Sequence, residues 1–280
     1  MDSVFAEAAG PQVHFVIWTT TPWTLPANLA VCLHPSFQYA ALRIGDETLI
    51  IAEDLLSHLL LEWDIKDYQV LGTRKGKELE NLVCRHPFLD RESIVILGEH
   101  VTIEQGTGCV HTAPGHGQED YDVGRQYGLE PWAPVDHMGR FIMADIPEDV
   151  GILFEHPPRV LDANDKIIEA LRERRMLVHV DTIDHSYPHC WRHKTPVIFR
   201  ATPQWFVSMT QNNLRDRVNE EIPKVKWIPN WGQKRIELMV GNRPDWCISR
   251  QRYWGSPITL FVNKNTGELH PDTESLFEVI

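Results

Sequence analysis

A chain of 280 residues, 42% of them apolar, is long enough for one large or two ordinary globular domains with a sizeable core. No run approaches the roughly 20 apolar residues of a membrane span, and Met1-Asp2-Ser3-Val4 lacks the basic start and apolar block of a secretory signal, so a cytoplasmic chain without a membrane partner is expected. The formal net charge of −12 speaks against a nucleic-acid partner unless the basic residues are segregated, and they are: residues 1–186 hold 14 Lys and Arg against 30 Asp and Glu, a net −16, whereas residues 187–255 hold 12 against 5, a net +7.

In chain order, residues 13–20 and 39–44 read as strands, Gly45-Asp46 as a hairpin turn, and 48–52 as the returning strand. Helical spacing follows over 53–63, then strands over 68–71, 93–97 and 108–112. A helix is expected over about 118–127. The clearest helix covers 162–176, with Ile167, Ile168 and Leu171 on one face and arginines toward its C-terminal end. These elements predict a mixed α/β unit of β-barrel-like form. Near Tyr187-Pro188 the acidic body gives way to Trp- and Arg-rich sequence, which places a boundary between residues 1–186 and 187–280. The five cysteines are odd in number and scattered, so a reducing compartment is expected rather than a disulfide framework.

Two segments carry chemistry. In Gly106-Thr107-Gly108-Cys109-Val110-His111-Thr112-Ala113-Pro114-Gly115-His116-Gly117-Gln118-Glu119-Asp120-Tyr121, glycines that allow close backbone approach to a ligand are interleaved with two imidazoles and a carboxylate. Asp120 is either a grip for a primary ammonium through a charge-assisted hydrogen bond or an acid that complements a helix N-terminus. His111, at the end of an apolar strand, lines a pocket or is a hydrogen-bonded core histidine. His116, between two glycines, reads by itself as loop structure. In the upstream segment Trp18-Thr19-Thr20-Thr21-Pro22-Trp23-Thr24-Leu25-Pro26-Ala27-Asn28, the hydroxyls of Thr19, Thr20, Thr21 and Thr24 are available to water, an ester carbonyl or ribose. They also suit a β-branched edge strand entering a turn stiffened by Pro22 and Pro26.

Together these segments resemble the post-transfer editing domain of the isoleucyl-tRNA synthetase family. Leucyl and valyl relatives usually carry Thr-Thr-Arg-Pro in the first segment; that Arg is absent here. The resemblance implies that Asp120 binds the amino group of the misattached amino acid, that His111 shapes the editing pocket, and that the threonine run with Thr24 and Asn28 forms the facing wall. Asp120, Thr24 and His111 are therefore the candidate catalytic residues, and Thr19, Thr20, Thr21, Trp23, Asn28 and His116 the candidate substrate-binding ones. The implied partner is tRNA(Ile) mischarged with valine, handled by a monomer. The family needs such a site because a pocket that accepts isoleucine rejects valine, one methylene smaller, by only about 1–3 kcal/mol; the isoleucyl enzyme is itself the standard example of that limit.

The stretches 187–196 and 243–255 resemble the family's return from editing insertion into a Rossmann-like aminoacylation domain, here incomplete. Arg250 and Arg252 meet phosphate or pair within the chain. Cys190-x-x-His193 has metal-ligand spacing but supplies half of a tetrahedral site, so no metal is assigned. Editing implies no cofactor. ATP and Mg, with isoleucine, belong to the full-length ligase, whose His-Ile-Gly-His and Lys-Met-Ser-Lys-Ser type signatures do not occur in this sequence. An internal fragment that does not activate isoleucine by itself is the expectation.

Overall fold

The computed structural model of the chain describes residues 13–143, 156–250, 254–255, 258–264 and 266–278. Its contacts divide it into two compact units, Met1–Ala201 and Thr202–Ile280. The division lies fifteen residues beyond the change in composition.

The first unit contains, in chain order, β1 (Val13–Phe15), β2 (Ala30–Leu33), β3 (Gln38–Ile44), β4 (Glu47–Ala52), α1 (Leu56–Glu62), β5 (Gln69–Lys75), β6 (Val83–Arg85), β7 (Glu92–Leu97), β8 (Cys109–Thr112), α2 (Gln118–Gln126) and α3 (Asn164–Glu173). Strands β1-β4-β3-β5 form one four-stranded sheet and β6-β7-β2-β8 another. The β3–β4 hairpin turns at Gly45, whose φ of +60° is one that glycine adopts without a Cβ penalty. Its register runs from Ile44 opposite Glu47 to Tyr39 opposite Ala52.

The expected barrel-like unit is instead a pair of open sheets. Between β1 and β2 the chain leaves the ladder through a 3-10 turn, Pro22–Ala27, whose two prolines have no N–H to donate to a neighbouring strand. The isolated parallel bridge from Trp18 to Val110 stands there in place of a continuous ladder. Strands β2 and β6 were not foreseen. The first has all four residues buried, so it lacks the alternation that marks a half-exposed strand.

One core, including Tyr39, Leu42, Ile50, Ile51 and Leu59, joins the first sheet and α1 to the second sheet, which enters it through Val31, Leu33, Val95 and Cys109. Fully burying a side chain of this size contributes about 1.5–3 kcal/mol. A second core joins Trp23, Phe88, Val135, Phe141 and Ile167, so α3 packs through Ile167 and Leu171 onto the 3-10 turn. A third seats α2 on the second sheet through Val123, Cys32 and Ile96. Helix α3, shorter than the expected 162–176, buries Ile167 and Leu171 as expected, with Ala170 rather than Ile168 completing the buried face.

The second unit is described by itself. Strands β9 (Phe206–Val207) and β10 (Trp246–Cys247) pair antiparallel, with helices α4 (Leu214–Glu221) and α5 (Trp231–Gly241) between them in sequence and α6 (Thr273–Phe277) after them. Met209 and Ile222 are its buried apolar side chains among the described residues.

Candidate functional site

The site begins with a shared direction of two backbone segments. Trp18 runs parallel to Val110, so the chain beyond each arrives at the same sheet end: Thr19, Thr20 and Thr21 from one, His111, Thr112 and Ala113 from the other. On its other side β8 pairs antiparallel with β2, with Val31 opposite His111, and Leu29 donates its N–H to the Thr112 carbonyl at 3.0 Å.

A buried hydrogen-bond chain joins the two segments. Asn28 Nδ2 lies 2.8 Å from His111 Nδ1 and 2.9 Å from the Ala30 carbonyl, and Asn28 Oδ1 accepts the Ser93 hydroxyl at 2.8 Å. Thr24 Oγ1 lies 2.9 Å from His111 Nε2 and 2.8 Å from the Thr21 carbonyl. Only one assignment satisfies every atom. An amide nitrogen has protons but no acceptor capacity, so Asn28 donates to Nδ1; the ring proton then sits on Nε2 and is donated to Thr24, whose own proton goes to Thr21. Burial pushes the imidazole of His111 down to about 3, with the nearby His86 and His116 rings adding to the effect. His111 is thus a neutral imidazole with both nitrogens committed. It clamps residues 21–28 to β8.

The threonine run is held more loosely. Thr19 Oγ1 accepts the Thr21 N–H at 3.0 Å, a local side-chain turn, and lies 3.4 Å from the Thr21 hydroxyl. Thr20 is exposed and Thr19 and Thr21 half-buried, while Trp23, Thr24 and Asn28 are buried. Trp23 donates its backbone N–H to Asn164 Oδ1 at 3.0 Å and sets its ring edge-on to His116, with centroids 4.9 Å apart. His116 is buried, with Nδ1 3.0 Å from the Phe199 carbonyl and its ring held below the ordinary range, chiefly by burial. It acts as a post between the Trp23 turn and the 196–201 segment.

Asp120 stands third in α2, after the N-cap Gly117. Its Oδ2 accepts the Ala113 N–H at 2.8 Å, which fixes the carboxylate at the end of β8 where the threonine segment arrives. No hydrogen bond to Oδ1 occurs among the described residues. Burial raises this carboxyl above the usual range, and the Ala113 N–H offsets part of that. An arriving cation would favour the ionised form and make a charge-assisted contact with it.

The glycines of the motif lie close against the protein's own atoms. A Cβ on Gly115 would stand 2.1 Å from the Trp132 carbonyl oxygen, and one on Gly108, where φ is +75°, 2.4 Å from Ala52 Cβ. They let the site's loop press against its own supports. Sequence reasoning did not find those supports. His86 reaches the Leu25 carbonyl through Nε2 at 2.8 Å while its Nδ1 accepts the Leu89 N–H at 3.2 Å, and Arg91 donates to the Pro26 carbonyl at 2.6 Å. With Ser93 they hold the 3-10 turn from below. The single local signal was a serine within the apolar run of β7.

Elsewhere, Cys190 Sγ and His193 Nδ1 meet at 3.4 Å on an exposed turn. The thiol is lowered to about 7, first by backbone N–H groups of His193 and Arg192 and then by the His193 ring. Arg250 spends Nη1 on the Cys247 and Ser249 carbonyls, at 2.9 and 2.7 Å, in place of an ion pair. Arg252 lies outside the described residues.

A family model described as tRNA synthetases class I (I, L, M and V) matches residues 16–280. Among curated proteins, an isoleucine–tRNA ligase of Thioalkalivibrio sulfidiphilus is 56% identical over 98% of this chain, and one of Methylococcus capsulatus 58% identical over 95%. The chain spans 28% of the length of each. Among solved structures, the crystal structure of GlLeuRS-CP1 aligns with 64% of this chain and 89% of its own at 15% identity and a TM-score of 0.46. A Plasmodium falciparum cytosolic leucyl-tRNA synthetase editing domain aligns with 41% of this chain and 48% of its own, at 17% identity and a TM-score of 0.36.

Proposed function

Because the chain belongs to the class I tRNA synthetases (I, L, M and V), we propose that its first unit is an editing site of the isoleucine type, which hydrolyses valyl-tRNA(Ile). One observation carries the reading. Two segments about ninety positions apart are bonded through His111, and the same strand end holds a carboxylate with one oxygen uncommitted. Identity of 56–58% to isoleucine–tRNA ligases supports the isoleucine type over the leucine or valine type.

In this reading Asp120 Oδ1 receives the α-ammonium of the misattached valine, and Thr19, Thr20 and Thr21 present hydroxyls to the ester and the terminal ribose. Water adds to the ester carbonyl carbon, the acyl–oxygen bond to ribose breaks, and the ribose oxygen leaves with a proton as free hydroxyl. His111 has no free nitrogen to serve as the base. With Thr24 and Asn28 it is a positioning residue that shapes the wall, and Trp23 and His116 brace that wall from behind. A cavity that admits valine and excludes isoleucine by one methylene completes what a single binding step, limited to about 1–3 kcal/mol, leaves undone. Editing draws on no metal or nucleotide. The second unit is proposed as the segment entering a Rossmann-like aminoacylation domain, where ATP, Mg and isoleucine belong to the whole ligase.

The test is release of valine from valyl-tRNA(Ile) by the 280-residue chain, beside isoleucyl-tRNA(Ile) as control. Release of valine but not isoleucine, lost in Asp120→Asn, is expected. Unchanged release in that variant, or equal release of both amino acids, overturns the assignment. The segregated positive charge of residues 187–255 favours a second reading, a tRNA-binding segment without hydrolysis. Salt-dependent tRNA binding with no valine release is its signature.

A further inference from the structure

A group of side chains remote in sequence from the proposed editing residues has the composition of a transition-metal site. Among the described residues, donor atoms of Glu62, His179 and Asp181 all lie within 4.8 Å of one another. His179 Nε2 is 3.7 Å from Glu62 Oε1, and the other Glu62 oxygen is 3.8 Å from His58 Nε2. The backbone explains the convergence. His58 and Glu62 are four apart on α1 and so share a face, while His179 and Asp181 bring their donor atoms to Glu62 from a segment without regular structure.

We propose that His58, Glu62, His179 and Asp181 form a binding site for a divalent transition metal of the zinc class. Two imidazoles and two carboxylates are a donor set that zinc accepts, and four-coordinate zinc with ligand bonds of about 2.0–2.2 Å needs neighbouring donors about 3.4 Å apart. The Glu62–His179 separation is already near that value, and rotation of half-exposed side chains supplies the rest. The ion would staple the 177–181 segment, which belongs to no regular element, to α1 in the same unit. That segment has no ladder of its own, so a metal crosslink would stabilise it as a ligand that binds only the folded state does.

The test uses the 280-residue chain carrying Cys190→Ser, which removes the thiol beside His193 as a competing ligand. Cobalt(II) and zinc are titrated by absorption and calorimetry. One equivalent of cobalt with visible ligand-field bands and no thiolate charge-transfer band is expected, and zinc should raise the thermal midpoint. Loss of even an outer-sphere partner weakens metal sites about 10–100-fold, so His179→Ala and Asp181→Asn should each weaken binding at least tenfold and abolish the thermal shift. Both positions are exposed, so the variants fold. Absence of cobalt binding, or binding of equal affinity in both variants, overturns the site.

Discussion

The two rims of the candidate site are built on opposite principles. On the His111 side, Ser93, Asn28, His111, Thr24 and the Thr21 carbonyl form a buried chain in which each donor has an acceptor and both imidazole nitrogens are committed. On the Asp120 side a half-buried carboxylate is anchored by one oxygen and leaves the other without a protein donor among the described residues. In the proposed function this difference separates residues that hold shape from the residue assigned to the substrate. A fully satisfied buried network rigidifies, whereas a partly satisfied acid keeps capacity for a cation.

The largest effect that would break this contrast is on activity. Asp120→Asn keeps an oxygen for the Ala113 N–H but loses the charge, and hydrogen bonds to charged groups are worth about 1.5–3 kcal/mol, so valine release should fall roughly 10- to 150-fold. Its thermal midpoint should hold or rise, because the raised carboxyl costs stability once ionised. A variant equally crippled in both would place Asp120 with the scaffold instead. Next in size, Asn28→Ala strands the Ser93 hydroxyl and removes the donor to His111, which should cost about 1–3 kcal/mol in chemical denaturation. Denaturation at unchanged midpoint would show that the network is dispensable.

The two rims also titrate with opposite sign. His111 is lowered to about 3 and His86 to about 4, both first by burial. The unfolded chain takes up protons at these positions below about 6.5 while the folded chain does not, so their contribution is present above that pH and is lost as pH falls toward 4. Asp120 is raised, so its contribution is present at low pH and is lost as pH rises through its folded value. Thermal midpoints between pH 4 and 7.5 should fall toward acid, and Asp120→Asn, which removes the opposing acid, should make that fall no shallower. A flat profile would remove the neutral buried histidines from the account. The smallest effect is expected at exposed Thr20: Thr20→Ala should change stability by no more than about 0.5 kcal/mol, leaving any loss of valine release attributable to the ligand side.

Several elements were legible because their signals are local. The β3–β4 hairpin with its Gly45 turn and helix α3 with its apolar face follow from spacing alone. The buried strand β2 offered no alternation, and β6 is only three residues long. The barrel-like expectation failed because sheet closure is decided by long-range pairing: the chain beyond β1 meets β8 through the single Trp18–Val110 bridge, and β5 and β6 stand at the outer edges of the two sheets. The close neighbours of Gly108 and Gly115, Ala52 and Trp132, lie far from them in sequence and carry no local signal.

What the sequence determined by itself was the inventory: two segments with the residue types an ester-hydrolysing site needs, and a basic stretch set apart from an acidic body. Tertiary structure decided which member of the inventory is free. Protonation and hydrogen-bond capacity depend on neighbours brought together across dozens of residues, so His111 became a neutral clamp through Asn28 and Thr24, and Asp120 kept an open oxygen because, among the described residues, Ala113 alone donates to the carboxylate. Spacing along a chain carries periodicity and identity. It does not carry burial, which in this site sets both the charge of each group and its role.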